Sequence, residues 1–281
     1  MRPDGTFTEY NHLVCNNAIA DFINKLPNKE NDYYEAIGSF TQSLYEKQSS
    51  GGEKYFLEKT PRYYLILDVI EKIFPDAKFV FLFRNPIQVM ASVIETWAKG
   101  RLRLENLYID LYKGPEKLAE GYKRLKNKSV AVFYDDLLQK PEENLKRIFE
   151  YLELEYSCSI LKQINKVSID GKMGDKTGYY EYETIETTVT EKWKKTFNTG
   201  FRKRIAKKYI QKLSPETLDA FGLSHAELES AIDAVKTSRW MLFTDLFNLT
   251  AGKIIRLFEV PMFLKKFRRR LEKADLYFIH R

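Results

Sequence analysis

Arg84 occupies a position in the sequence that is suited to binding an anion. It directly follows the run Phe79–Phe83, which is apolar, β-rich and uncharged, as is typical of a buried parallel strand. An arginine at the carboxyl end of a strand, beside a helix N-terminus, can bind an anion together with that helix. Ser92 lies two turns into the helix and can add a hydroxyl donor. The alternative is a capped helix with a solvated arginine.

The residues after Arg84 predict how this helix begins. Asn85 is a suitable N-cap, and Pro86 fits the first helical position. Gln88 occupies the position at which a capping box carries an amide or carboxylate. We therefore expect a helix over Pro86–Lys99.

Glu58 and Lys59 form a second pair of residues whose side chains can take part in a reaction. They follow a predicted short strand, Lys54–Leu57, and ligands bind at strand ends in open α/β sheets. A carboxylate beside a lysine can act as a base and as an electrostatic clamp. The alternative is a surface ion pair at a turn.

Tyr134 follows the predicted strand Ser129–Phe133, where an aromatic ring can border a ligand. Capping and turn chemistry explains most of the segment after it, in which Pro141 is expected to start a helix after a loop. The Gly-rich segment 171–180 supplies Lys172 and Lys176, which either contact a ligand or belong to a solvated loop.

Composition narrows the classes of protein. With 281 residues, 44% hydrophobic and 14% aromatic, the chain can form one large or two small folded domains. A net charge of +7 favours anionic partners, but no nucleic-acid-reading motif is visible, so no nucleic acid is expected.

No signal peptide or membrane span is recognisable. Cys15 and Cys158 are far apart and predict no disulfide framework, which favours a reducing, cytoplasmic location. The three histidines lack metal-site spacing, so no metal is expected.

Alternating strand and helix patterns predict an α/β fold with a parallel sheet. From Ser157 to Thr199 the pattern weakens, which predicts loops and a mobile cover. Besides the segments above, the expected helices are Asn16–Lys25, Tyr33–Lys47, Arg62–Phe74, Pro115–Lys126, Phe201–Leu213 and Ala226–Phe247.

Four segments together resemble the sulfotransferases that use 3′-phosphoadenosine-5′-phosphosulfate (PAPS). They are EKTP from Glu58, the Arg84-to-Ser92 spacing, YDDLLQKPEENL from Tyr134 and GKMGDKTGYY from Gly171, and they follow the family order. Trp193 matches a further family segment and is expected to pack rather than bind. The resemblance implies an α/β, P-loop-type parallel sheet flanked by helices, with a helical C-terminal part.

The resemblance also implies the reaction and its residues. A sulfonate group would pass from PAPS to a hydroxyl or amine, with 3′,5′-phosphoadenosine phosphate (PAP) as product, a saccharide as expected acceptor and no metal. Glu58 would be the base, and Lys59 would stabilise negative charge on the leaving group.

The residues expected to bind the nucleotide also follow from the resemblance. Arg84 and Ser92 would hold the 3′-phosphate and Tyr134 would border adenine. Lys172 and Lys176 would close over the nucleotide.

One family element is not found in the sequence. The family's first strand is followed by a loop that binds the 5′-phosphosulfate, and residues 1–54 contain no such loop. Three explanations stay open: a fragment or misassigned start, a replacement element, or a degenerate, non-catalytic relative that binds nucleotide or polyanion.

The predicted domains are a sulfotransferase-like domain over residues 1–247 and a basic amphipathic tail over 248–281. The tail contains KKFRRR, residues 265–270, within a predicted helix Lys253–Lys273. Such a helix either lies on an anionic membrane surface or packs on the domain. A peripheral membrane protein is therefore a further alternative.

Overall fold

A computed structural model describes residues 12–104, 107–163, 187–240 and 243–257 of the chain. Two compact units are present, Met1–Ala77 with Leu257–Arg281, and Lys78–Arg256. The domain division predicted after residue 247 stays a prediction. The described helices are α1 (His12–Asn24), α2 (Glu30–Gln48), α3 (Leu67–Ile73), α4 (Pro86–Thr96), α5 (Gly114–Arg124), α6 (Tyr134–Gln139), α7 (Pro141–Tyr151), α8 (Ser159–Gln163), α9 (Trp193–Thr196), α10 (Gly200–Ile210), α11 (Pro215–Ala220), α12 (His225–Ala234) and α13 (Phe243–Leu257), and the strands are β1 (Phe79–Phe83) and β2 (Ser129–Phe133).

The first unit is helical in its described part. Helix α2 packs against α1 and α3. Gly38 permits the close approach of α2 to α3, because a Cβ atom there would lie 2.9 Å from the carbonyl oxygen of Ile73. The two N-terminal helices predicted from the sequence are confirmed within a few residues.

Two predictions in this unit are wrong. Lys54–Leu57 is not a strand: the described part of this unit offers no partner strand, and Leu57 is largely exposed. The helix predicted over Arg62–Phe74 is divided into a 3₁₀ turn and α3. The backbone of Ile66 causes the break, since its φ of −134° is far from helical values.

The second unit contains a parallel pair of strands, so the predicted α/β class is confirmed in a mostly helical form. β1 and β2 pair in register from Phe79 with Ser129 to Phe83 with Phe133. Both strands therefore end at the same level. Helices α4 and α5 lie between them in the sequence, as a parallel connection requires.

Only one face of β1 is buried. Phe81 and Phe83 lie in the core, whereas Val80 and Leu82 are 44% and 51% exposed. The prediction of a fully buried strand is therefore correct for one face alone. An apolar run does not distinguish burial on one face from burial on two.

The core of the second unit lies between α4 and the C-terminal helices. Ile87, Met90 and Ile94 repeat at i, i+3 and i+7 along α4, so they form one buried stripe. They belong to the same cluster as Trp193 and Phe197. The prediction that Trp193 packs in the core is confirmed, since only 6% of it is exposed.

Two further predictions need correction. Tyr134–Gln139 is the short helix α6 rather than a loop, although Pro141 does start α7 as predicted. The helix predicted over Ala226–Phe247 is divided into α12 and α13. Val235, the C-cap of α12, is extended, and Ser238 donates its backbone N–H to the carbonyl of Asn198. Pairing with the chain before α10 thus competes successfully with helix formation.

A buried ion pair joins α10 to α13. The Nε and Nη2 atoms of Arg202 each lie 2.8 Å from an oxygen of Asp245. Arg202 also donates to the carbonyl oxygens of Thr196 and Gly100. The guanidinium is thus paired and hydrogen-bonded, as a buried charge must be.

Candidate functional site at the carboxyl ends of the strands

The start of α4 places Arg84 as the sequence predicts. The Asn85 side chain accepts a hydrogen bond from the backbone N–H of Ile87 at 2.9 Å, and Pro86 occupies the first turn. The guanidinium of Arg84 therefore lies at the junction between the end of β1 and a capped helix N-terminus. This junction combines a positive side chain with the positive end of the helix dipole.

Arg84 and Tyr134 contact each other. Each directly follows the in-register pair Phe83 and Phe133, so the parallel sheet makes them neighbours. The guanidinium carbon of Arg84 lies 4.4 Å from the centre of the Tyr134 ring. This cation–π contact fixes the plane of the guanidinium. The structure thus brings together two residues that the sequence singled out separately.

Gln88 does not complete a capping box, contrary to the prediction. Its side chain lies between two charged groups instead. The Nε atom of Arg84 donates to Gln88 Oε1 at 3.3 Å, and Gln88 Nε2 donates to Asp135 Oδ2 at 2.8 Å. Only 4% of Gln88 is exposed, so water does not substitute for these partners.

Asp135 is the polar residue of this site that sequence reasoning missed. Burial raises the pKa of its carboxyl group, and the hydrogen bond from Gln88 and the positive charge of Arg84 offset this only in part. Its Oδ1 atom is buried and has no hydrogen-bond partner in the described part of the chain. The sequence offers one indication that Asp135 belongs to the site, which is its position immediately after Tyr134.

Ser92 lies on the same face of α4 as Gln88, one turn further along. It is half-buried, and among the described residues its hydroxyl has no hydrogen-bond partner. The hydroxyl is therefore free to donate, but no contact joins Ser92 to Arg84 directly.

A cavity of about 570 Å³ opens beside this junction. Asn85, Gln88 and Asp135 line one part of it, and Trp193 and Val235 contribute an apolar part. Three exposed lysines also line the cavity: Lys194, Lys195 and Lys236. Lys194 pairs with Glu191. The cavity has the position expected for a ligand in an α/β fold, at the carboxyl ends of the strands.

Glu58 and Lys59 belong to the first unit and are exposed. Glu58 Oε1 accepts hydrogen bonds from the hydroxyl of Tyr63 at 2.9 Å and from that of Thr60 at 3.3 Å. Burial raises the pKa of Tyr63, and the bond to Glu58 acts in the same direction. Within the described residues Glu58 and Lys59 form no ion pair, so the simple surface pair is not what this turn contains.

Lys172 and Lys176 lie outside the described residues. Across the described ranges, no group of His, Cys, Asp and Glu side chains is arranged to hold a metal ion. The helices in these ranges also include none with the length and hydropathy needed to cross a bilayer.

Comparison with known proteins identifies the family. The Sulfotransferase family matches residues 7–157, more than half of the chain, so this protein belongs to the sulfotransferase family. The matched range includes Glu58, Arg84, Ser92 and Tyr134.

Similar curated proteins have different names and limited overlap. A "Putative protein-tyrosine sulfotransferase" of Caenorhabditis briggsae is 22% identical over 55% of this chain and 56% of its own length. The "Omega-hydroxy-beta-dihydromenaquinone-9 sulfotransferase Stf3" of Mycobacterium bovis is 28% identical over 42% of this chain and 33% of its own. The "Nodulation protein NoeE" of Sinorhizobium fredii is 29% identical over 28% of this chain and 18% of its own length. The chain thus spans about half or less of the length of these relatives. No solved structure matches it.

Proposed function

We propose that this protein transfers a sulfonate group from PAPS to a hydroxyl or amine. The observation that supports this best is the Arg84 guanidinium, which lies at the start of a capped helix and against the Tyr134 ring. Sulfonate transfer by a family member requires a site for a nucleotide with two phosphorylated positions, and this junction has the chemistry to bind one phosphate.

The residues around α4 fit the nucleotide end of the donor. Arg84 pairs with the 3′-phosphate, and Ser92 adds a hydroxyl donor from the same helix. Tyr134 borders the adenine. The proposal also includes a sheet of the P-loop type. In the proposal, Lys172 and Lys176 contribute to binding the nucleotide.

Glu58 and Lys59 supply the acid–base chemistry in the proposal. When bound, PAPS provides an activated sulfur, so the new bond to the acceptor forms as the bond from sulfur to the 5′-phosphate breaks. Glu58 takes the proton of the acceptor, and the hydrogen bond from Tyr63 holds its carboxylate in one orientation. Lys59 stabilises the negative charge of the departing phosphate.

We propose a saccharide as the acceptor. The names of the relatives point to other acceptor classes, since one mentions protein tyrosine and another a menaquinone derivative. A panel of a sulfatable oligosaccharide, a tyrosine peptide and a lipid alcohol, each with radiolabelled PAPS, distinguishes the three. Label in the peptide or lipid alone would contradict a saccharide acceptor without affecting the reaction class.

The test of the function is a thermal shift with PAP, with AMP and an Arg84→Ala variant as controls. Ligand at about 100 times its Kd should add about 2.7 kcal/mol of stability. We expect a shift that requires both the 3′-phosphate and Arg84. In turnover assays Glu58→Gln should lower kcat by about 10²–10⁴-fold, and Glu53→Gln, a nearby exposed carboxylate, should not.

Two results would count against parts of this proposal. The absence of any PAP-dependent shift in the folded protein would exclude the nucleotide site. A shift without turnover of any acceptor would indicate a binding protein that has lost the chemistry.

We also propose contact with an anionic membrane surface, because α13 exposes large apolar side chains ahead of the basic tail. Phe243 is 90% exposed and Phe247 is 71% exposed, and they lie one turn apart on one face. Asp245, which pairs with Arg202, anchors the opposite face.

A further inference from the structure

The side chains of Asp135, Gln88 and Arg84 form a hydrogen-bonded chain, which we call the relay. They differ in whether they can donate or accept. The carboxylate of Asp135 can only accept, the guanidinium of Arg84 can only donate, and the amide of Gln88 can do both. The observed bonds use Gln88 Nε2 toward Asp135 and Gln88 Oε1 toward Arg84. The reverse orientation of the amide would oppose donor to donor and acceptor to acceptor.

We infer that Asp135 is a positioning residue for the anion site: it holds the Gln88 amide so that its oxygen binds Arg84 Nε and orients the guanidinium. The inference rests on the proposed function, because it assigns how Arg84 is presented to a 3′-phosphate. Asp135 itself does not contact the phosphate.

The contacts of Arg84 explain why this orientation matters. Its Nε atom is engaged by Gln88 and its flat face by Tyr134. Among the described residues, its two Nη atoms have no hydrogen-bond partner. They form the fork that binds two oxygens of a phosphate at once. A guanidinium held on its Nε edge and on one face has little freedom left to rotate out of this geometry.

The fold itself produces the relay. Because β1 and β2 end in register, Arg84 and Tyr134 are neighbours, and Asp135 follows one residue later. Gln88 lies one helical turn after Arg84, so its side chain reaches back over the end of β1. The capped start of α4 fixes that turn, which leaves the Gln88 side chain buried between the two strand ends.

The test compares the affinities of PAP and AMP by calorimetry, since only PAP carries the 3′-phosphate. Asp135→Leu and Gln88→Met keep the approximate shapes of the side chains and remove the hydrogen bonds of the relay, whereas Asp135→Asn would keep an acceptor for Gln88 Nε2. We expect each to weaken PAP by ~5–20-fold, in the range of coupled contacts, and to leave AMP unchanged. The matched controls are Asp136→Leu, which makes the same change at the adjacent exposed residue, and Gln211→Met, which alters an exposed amide that bonds Glu229 and does not line the cavity.

A coupling experiment separates positioning from general stability. In an Arg84→Ala background, Asp135→Leu should have no further effect on the affinity for PAP, because no guanidinium remains to be oriented. Asp135→Ala serves as a second variant should Gln88→Met fail to fold.

The inference is overturned if Asp135→Leu binds PAP like the wild type, if it weakens PAP and AMP equally, or if its effect persists without Arg84. A wild-type protein that does not prefer PAP to AMP would overturn the proposed function as well, and this outcome is read from the wild type alone.

Discussion

At the scale of the residue, the buried position of Asp135, which we propose serves to orient Arg84, has a cost in stability. Burial raises the pKa of its carboxyl group above the usual 3.8, so the folded state binds this proton more tightly than the unfolded chain does. The stability contributed by the protonated form is complete below the unfolded pKa and is lost as pH rises through the folded pKa. At neutral pH the ionised group therefore lowers the free energy of unfolding.

This argument predicts that Asp135→Asn raises Tm at pH 7, because the amide carries no charge and still offers an oxygen to Gln88 Nε2. The difference in Tm should narrow as pH falls through the folded pKa and disappear below the unfolded pKa of 3.8, where the group is protonated in both states. Thermal unfolding from below pH 3.8 up to pH 8 checks this, with Asp136→Asn as the control. A variant that is less stable than the wild type at pH 7 would show that the charge of Asp135 stabilises the fold.

Sequence reasoning reached some of these residues and not others, for a physical reason. The Asn85 cap and the place of Arg84 depend on local chemistry, which the sequence contains. The roles of Gln88 and Asp135 depend on which strand lies beside β1, and that is a tertiary fact. The capping box predicted for Gln88 is wrong because its amide bonds two charged, half-buried side chains, Arg84 and Asp135, instead of the backbone N–H of the N-cap.

At the scale of the element, a predicted strand forms only where a second strand pairs with it. β1 and β2 were predicted within one residue because apolar β-rich runs have few alternatives when they can pair. Lys54–Leu57 has a similar composition but finds no partner in the described part of its unit. The break between α12 and α13 was also missed, because the pairing of Ser238 with Asn198 is not visible in helical periodicity.

The Arg202–Asp245 pair predicts how firmly α13 is attached to α10. Arg202→Met leaves a buried carboxylate without its partner, and we expect a loss of about 3–5 kcal/mol. The double variant Arg202→Met, Asp245→Leu should recover most of this loss, because no uncompensated charge remains. Urea denaturation measures both.

The matched control for that pair is Lys207 with Asp233, which also involves α10 but is more exposed. Lys207→Met should cost at most about 1 kcal/mol. Equal losses in Arg202→Met and Lys207→Met would mean that burial does not determine the strength of these pairs.

At the scale of the whole molecule, the class of the fold and the family could be read from the sequence, whereas the number of strands could not. The four family segments in order gave the family, and the match over residues 7–157 confirms it. The alternation of elements gave the α/β class. The extent of the sheet depends on which segments pair, and the open face of β1 at Val80 and Leu82 was not predictable from an apolar run.

The charge distribution of the whole chain leads to a last prediction, on membrane binding. The net charge is +7, and five cations are concentrated at Lys265, Lys266 and residues 268–270. Since each basic residue near an anionic surface contributes about 1 kcal/mol, changing these five to glutamine should abolish sedimentation with phosphatidylserine vesicles. Phe243→Ser with Phe247→Ser should weaken it, because these exposed rings supply apolar area. Binding should also fall with added salt, as surface charge is screened within about 8 Å at physiological ionic strength. Unchanged sedimentation of both variants, or equal binding to uncharged vesicles, would contradict a membrane role for the tail and leave the nucleotide site unaffected.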